Sequence, residues 1–377
     1  MRNKSVFPAT AIAFYAFALW QMCAPAQAIP IFAQRYHLQC EACHSVLPEL
    51  NAFGREFRAH GYQLAAPKHG TTIAAIRYQL EYEVSPASGN KRFEQGGVIL
   101  GNADIGKIST FVHYNLGADG GPGGLYMGYL ATYNAHTRSL YRAGLFELPL
   151  AQSPGQRLDD LQQYGYYGAH AGLNDLALSA PHWGFQLERT AGAVTGDLTI
   201  SSGEFKGSAY GGKRVSTGET TWANAPEVGL FVRAPAVAGV DVGGEFLAGQ
   251  RWIVPSGRAG FADTYHREGL LLRAQDRKLE LQAEQWWGND LNADGFGTLL
   301  GSSGGYVRLK FYPTPHFYAG VRYDAQATPF LTRDIVYYGA WMFTPHTRLI
   351  VQQVQNIGGT GHFGAAITVA APWPPNL

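Results

Sequence analysis

Residues 39–44 read Gln39, Cys40, Glu41, Ala42, Cys43, His44. A Cys-x-x-Cys pair followed at once by histidine is the attachment signature of c-type haem. Each thiol can form a thioether to one vinyl group of the macrocycle, and the adjacent imidazole then falls where it ligates the iron from one side. A zinc site needs four ligands, yet no other cysteine remains once the leader described below is removed. A thioredoxin-like redox pair needs a βαβ setting, which this chain does not supply. One covalent haem c, held by Cys40, Cys43 and His44, is the expected cofactor.

The second axial ligand is expected to be a histidine, because Met127 and Met342 fall in segments with strand periodicity. Leu50, Phe53, Phe57 and His60 recur at spacings of three, four and three and so share one helical face. His60 is the first candidate, beside rings that can pack on the porphyrin; the plain alternative is a solvated residue near a helix end. His37, His69 and a lumenal His113 are its rivals. Arg55 and Arg58 suit haem propionates or are solvated helix charges. Asp290, Asn292, Asp294 and Gly295 match the start of a calcium loop. Its twelfth position is Gly301 rather than glutamate, which excludes an EF-hand and favours a polar turn.

Residues 29–70 must position these ligands. Pro48 is placed to open a helix at its first turn, and Gly61 to end it in a left-handed conformation. Some forty residues cannot enclose a haem and close a core alone. Another part of the chain has to cover it.

Residues 1–28 fit a secretory leader, with Arg2 and Lys4, an apolar stretch over 6–23, and an A-x-A cleavage site at Ala26, Gln27 and Ala28. Its removal takes two of 29 basic residues and leaves 28 acidic ones. No basic stripe remains, which argues against nucleic acid as a partner. Charged residues make up only 15% of the 377-residue chain, against about 25% in ordinary soluble domains. Hydrophobic residues reach 46%, aromatics 13%, and there are 47 glycines. Yet no apolar run of about 20 residues follows the leader, so no membrane helix is available. That combination points to an outer-membrane β-barrel.

From residue 71 to 377 the pattern alternates with period two. Leu279, Leu281, Ala283 and Trp287 oppose Lys278, Glu280, Gln282, Glu284 and Trp286; Val307, Leu309 and Phe311 oppose Arg308 and Lys310. Such strands suit a wall between lipid and a wet or protein-filled lumen. Sixteen segments follow, from 72–84 to 361–370, with very short links (102–103, 236–237, 276–277) alternating with mostly longer ones (149–181, 202–226, 251–264, 288–302). Short periplasmic turns and long outer loops are how transmembrane antiparallel barrels are built. The fold expected is therefore mainly β, a barrel of about sixteen strands preceded by a small haem-binding helical module. Residues 371–377, with three prolines, are left without a physical explanation.

The stretch from Pro30, Ile31, Phe32 and Ala33 through the Cys-x-x-Cys-His motif to Pro48, Leu50, Asn51, Phe53, Gly54, Arg55, Phe57, Arg58, Gly61 and Tyr62 resembles the fused monohaem cytochrome–porins of the bacterial outer membrane. The resemblance covers about a tenth of the chain; Ser45, Val46 and Leu47 differ from the aromatic and Gln–His that the family carries there. It implies electron transfer between an extracellular donor, such as Fe(II), and a periplasmic c-type cytochrome or other carrier. No nucleophile–base set is visible. The rival expectations are a diffusion porin whose haem module is a sensor or plug, and an outward, reductive conduit.

Overall fold

The computed structural model describes residues 30–36, 38–64, 73–85, 90–118, 123–152, 159–204, 220–327, 331–344 and 346–373. The expected leader, His37 and His69 lie outside the described residues.

Sixteen antiparallel strands close into one barrel, each paired with its neighbour in sequence. The circle is sealed where the last strand, His362–Trp373, pairs with the first, Ile73–Ser85, in a register running from Phe363 opposite Val84 to Trp373 opposite Ala74. Part of the unexplained tail is thus the closing seam, and Pro372 and Trp373 belong to a strand. Alternation decides which side each residue faces. In Leu279–Asp290, Trp287 is 45% exposed on the outer face while Trp286 is fully buried inside, together with Glu280, Gln282 and Glu284. Val307, Leu309 and Phe311 face outward and Arg308 and Lys310 inward, as the two-residue period dictates. Among the described residues no helix is long and apolar enough to cross a membrane.

The strands run longer than their apolar alternation suggests. Thr220–Val237 has 18 residues, and its first seven carry no alternating pattern. Backbone pairing continues past the lipid-facing band, so periodicity marks only the middle of a strand. The first short turn lies at residues 106–107, with Gly106 at φ +63°, rather than at 102–103. Asn102 and Asp104 are inward-facing strand residues instead.

Two inserts enter the lumen. From the short-turn end comes the N-terminal module: α1 (Pro30–Tyr36), α2 (Cys40–Cys43), a hairpin of His44–Val46 with Glu49–Leu50, and α3 (Ala52–Ala59). From the long-loop end come residues 148–152 and 159–180, between the strands Ser139–Glu147 and Pro181–Ala191. Tyr164, Tyr166, Tyr167, Leu176 and Leu178 of that insert form a buried cluster with wall residues Phe231, Leu247, Tyr265, Trp286 and Tyr306.

Candidate functional site

The Cys-x-x-Cys turn is built by residues on both sides of it. Cys40 and Cys43 stand three apart on one helical turn; Cys43 packs against the cluster of Ile31, Phe32 and Phe57, and Cys40 borders a crevice with His44 and Met342. Neither forms a disulfide. His44 caps that turn in an extended conformation, its backbone N–H donating to Cys40 O. The His44 Nδ1 lies 3.2 Å from both Pro48 O and Glu49 O. An Nδ1–H donating there puts the ring lone pair on Nε2, the arrangement that orients a metal-ligating imidazole. Burial pushes the Cys43 thiol up, the opposite of what a redox-active pair requires. The donor types suit a covalently attached haem: two thiols on one helical turn and an imidazole directly after them. Among the described residues, no group of three His, Cys, Asp or Glu side chains is gathered to hold a bare metal ion.

Asn51 and Gly54 lock this turn in place. The Asn51 side chain N-caps α3 by accepting from Gly54 N at 2.9 Å, and its Nδ2 donates to Glu41 O and Ala42 O at 3.1 and 3.0 Å. The helix therefore opens at Asn51 rather than at Pro48, which lies between the two short hairpin strands. A Cβ on Gly54 would stand 2.1 Å from Cys43 O. Gly54→Ala is expected to destabilise the module by about 1–3 kcal/mol through overpacking, and Asn51→Ala by about 0.5–2 kcal/mol through loss of the cap. Both should reduce haem attached per barrel on a haem-stained denaturing gel, and attachment at the parental level would refute this positioning role. Gly61 ends the helical segment at φ +66°, as its sequence position predicts.

The other candidate residues are spread over the module. Phe57 is buried at the wall with Phe32, Tyr36 and Tyr62, ring centroids 5.6, 5.4 and 5.6 Å away. His60 turns instead toward Tyr133, stacked at 4.1 Å, and lines a cavity of about 460 Å³ between module and wall. His44 is not among the residues lining that cavity. Arg55 donates to Leu50 O at 2.7 Å and to Gln275 on the wall at 3.3 Å, and Arg58 lines the cavity. His113 sits buried on its strand, Nε2 bonded to Asn115 at 3.1 Å and ring against Tyr126. Met342 faces the lumen and borders a crevice with Cys40 and His44. A strand position therefore does not keep a residue away from the haem motif. Asp290 pairs with Arg267 at 2.8 Å and accepts from Asn174 at 2.9 Å, while Asp294 accepts from Phe296 N at 2.8 Å. The calcium-like loop spends these oxygens on the protein itself, as a polar turn does.

The module is seated by apolar and ionic contacts. Ile31, Phe32 and Phe57 bury against Ala75, Val98, Leu100, Phe111, Tyr126 and Met127, and Val46 against Tyr312, Tyr318, Val336 and Ile350. Arg35 pairs with Asp104 at 2.8 Å. Glu49 reaches Lys310 Nζ at 2.8 Å and also pairs with Arg273. Asp159, from the inserted loop, meets the same Lys310 at 3.2 Å and pairs with Arg308. Asp160 pairs with Arg322 at 2.7 Å. The two inserts thus meet on shared cations across the lumen.

Burial alone would raise the Glu49 carboxyl, but Lys310, Arg273 and Arg308 together hold it well below the usual carboxylate range. A depressed carboxylate contributes its stabilisation above its unfolded pKa and loses it as pH falls through the lower folded value. The module should therefore stay seated at about pH 5–8 and loosen only in stronger acid. Planar-bilayer conductance across a pH series checks this; currents already rising near neutrality would contradict it.

With this geometry in view, the comparison with solved structures is decisive for the barrel. It has the fold of the outer-membrane porins. The outer membrane channel DcaP of Acinetobacter baumannii superposes with a TM-score of 0.58 at 10% identity, over 81% of this chain and 100% of that one. An anion-selective porin from Comamonas acidovorans gives 0.55 at 10% identity, over 81% and 99%. OmpF of Salmonella typhi, in a complex with daunomycin, gives 0.56 at 9%, over 80% and 98%. No family model matches the sequence, and no curated protein does.

Proposed function

We propose that this is an outer-membrane electron-transfer protein: a porin-type barrel entered by its own N-terminal module, which carries one covalent haem c. The Cys40, Cys43 and His44 turn carries the reading, because its two thiols and oriented imidazole form a donor set suited to haem c. A haem held there supplies reversible one-electron chemistry at its iron. The protein's part is to attach it through Cys40 and Cys43, orient His44 through the carbonyls of Pro48 and Glu49, and shield it within a barrel. Short turns are periplasmic in such barrels, so the module faces the periplasm, where a c-type cytochrome or similar carrier would exchange electrons with it. The donor is an extracellular reductant, with Fe(II) suggested by the likeness to fused cytochrome–porins.

A second reading is a diffusion porin whose module is a sensor or structural plug. The porin fold backs this more directly than it backs electron transfer, since the neighbours named above include an outer membrane channel and an anion-selective porin. Against it stands a lumen in which Glu49 of the module and Asp159 of the loop share Lys310.

Proteoliposomes enclosing an impermeant oxidant separate the two. Electron transfer predicts that an external reductant consumes the enclosed oxidant while ionic conductance stays low. Large steady currents with an untouched oxidant would establish the diffusion porin instead. Failure of Fe(II) to reduce the purified protein at both acid and neutral pH would remove iron as the donor.

A further inference from the structure

Where the two inserts meet the wall, cations and carboxylates of the described residues form one cluster. Arg273 comes from Phe261–Gln275, Glu280 from Leu279–Asp290, and Arg308 and Lys310 from Leu300–Thr314, three strands that pair side by side. Glu49 comes from the module hairpin and Asp159 from the long-loop insert. Glu49 pairs with Lys310 at 2.8 Å, with Arg273, and with Arg308 at 4.0 Å. Asp159 pairs with Lys310 at 3.2 Å and with Arg308. We propose that the two inserts compete for these wall cations, so that each sits more firmly once the other's carboxylate is gone.

Three observations set the sign of this coupling. First, the cations stay in place whichever insert leaves. Arg308 and Lys310 are fully buried, and Glu280 of the wall pairs with Arg273 at 2.7 Å, with Arg308, and with Lys310 at 3.8 Å. Gln282 also accepts from Arg308 at 2.6 Å. Second, Glu49 and Asp159 share one ammonium, so their carboxylates stand within about 6 Å of each other, where like charges in a poorly solvated site repel. Third, each insert has an apolar seat of its own. The module rests Ile31, Phe32 and Phe57 on the wall, and the long-loop insert rests Tyr164, Tyr166, Tyr167 and Leu176. Neither needs the charges of the other to remain docked.

With both inserts seated, Glu49, Asp159 and Glu280 face Arg273, Arg308 and Lys310. Withdrawing one insert's carboxylate leaves the same cations facing two anions, and the remaining insert gains attraction. The coupling is reciprocal. Lifting the long-loop insert off the wall therefore tightens the module at the short-turn end, and drawing the module away tightens the loop. Relative to independent docking, states with one insert released gain over the state with both seated. Val46 and Leu161 pack on one apolar cluster with Tyr318 and Val336, which favours joint docking instead. Changing a carboxylate to its amide leaves that apolar contact alone, so the charge effect can be read by itself. The coupling holds with or without a haem on the module.

Hydrogen exchange followed by mass spectrometry on the purified full-length protein reads the local opening of each insert separately. Asp159→Asn should speed exchange in residues 159–180 and slow it in the module hairpin, residues 44–50, by about tenfold. Glu49→Gln should do the reverse. Asp160→Asn loses a pair with Arg322 rather than with the shared cations; it should speed exchange in 159–180 and leave the hairpin unchanged. Unboiled gels identify the folded barrels, and the variants at 49 and 159 probe one coupling from opposite sides, so either alone decides it. Faster exchange in the untouched insert, or exchange there equal to the parent's, overturns the proposal. Slowing of the hairpin by Asp160→Asn as well would trace the effect to the loosened loop and overturn the role of the shared cations.

Discussion

Glu49→Lys is expected to unseat the N-terminal module and to raise the conductance of the barrel. Glu49 reaches into the lumen between Lys310 and Arg273, with Arg308 at 4.0 Å. Removing one partner of a buried ion pair costs about 3–5 kcal/mol, equivalent to about two to three and a half decades in an equilibrium constant. Charge reversal adds repulsion from three cations to that loss. The apolar seats of Ile31, Phe32, Phe57 and Val46 oppose release, so Glu49→Gln should give intermittent openings and Glu49→Lys sustained ones. Single-channel recording in planar bilayers reads both, and a Glu49→Lys protein with the parent's conductance would show that the ion pairs do not hold the module.

Arg308→Met is expected to have the next largest effect, on the loop rather than the module. The Arg308 guanidinium is fully buried. It pairs with Asp159 and Glu280, donates to Gln282 at 2.6 Å, and donates to Tyr164 Oη at 3.2 Å. Methionine fills much of the volume but leaves Glu280 and Asp159 with fewer partners, a loss of about 3–5 kcal/mol for a broken buried network. Lys310 retains part of the hold on Asp159. Residues 159–180 should therefore become cleavable by protease added at the long-loop side of intact proteoliposomes, and the barrel should denature at a lower temperature on unboiled gels. A protease pattern identical to the parent's would place the loop's anchorage elsewhere, in Asp160–Arg322 and the tyrosine cluster.

The barrel and the haem motif are both local in sequence, which is why they are legible there. Alternation is written in successive residues, so the outward Leu279, Leu281 and Trp287 and the inward Glu280, Gln282 and Glu284 can be assigned without coordinates. Turn positions are less legible where pairing outlasts alternation, as at residues 102–107 and 220–226. The role of Asn51 had a visible signal, an N-cap residue type at the head of the helical run, but Pro48 offered a competing start. The meeting of Glu49 with Asp159 had none, because it depends on two distant inserts reaching the same wall cations. Met342 illustrates the same limit: strand periodicity gives its face, yet what fills the lumen beside that face is decided by tertiary folding.

The most direct measurement is a haem-stained denaturing gel of the full-length protein, expressed with a c-type haem attachment system and compared with a Cys40→Ser, Cys43→Ser double variant. The predicted result is a stained barrel band in the parent that survives denaturation, and an equally abundant, unstained band in the variant. A folded parent barrel that carries no covalent haem would contradict the central claim.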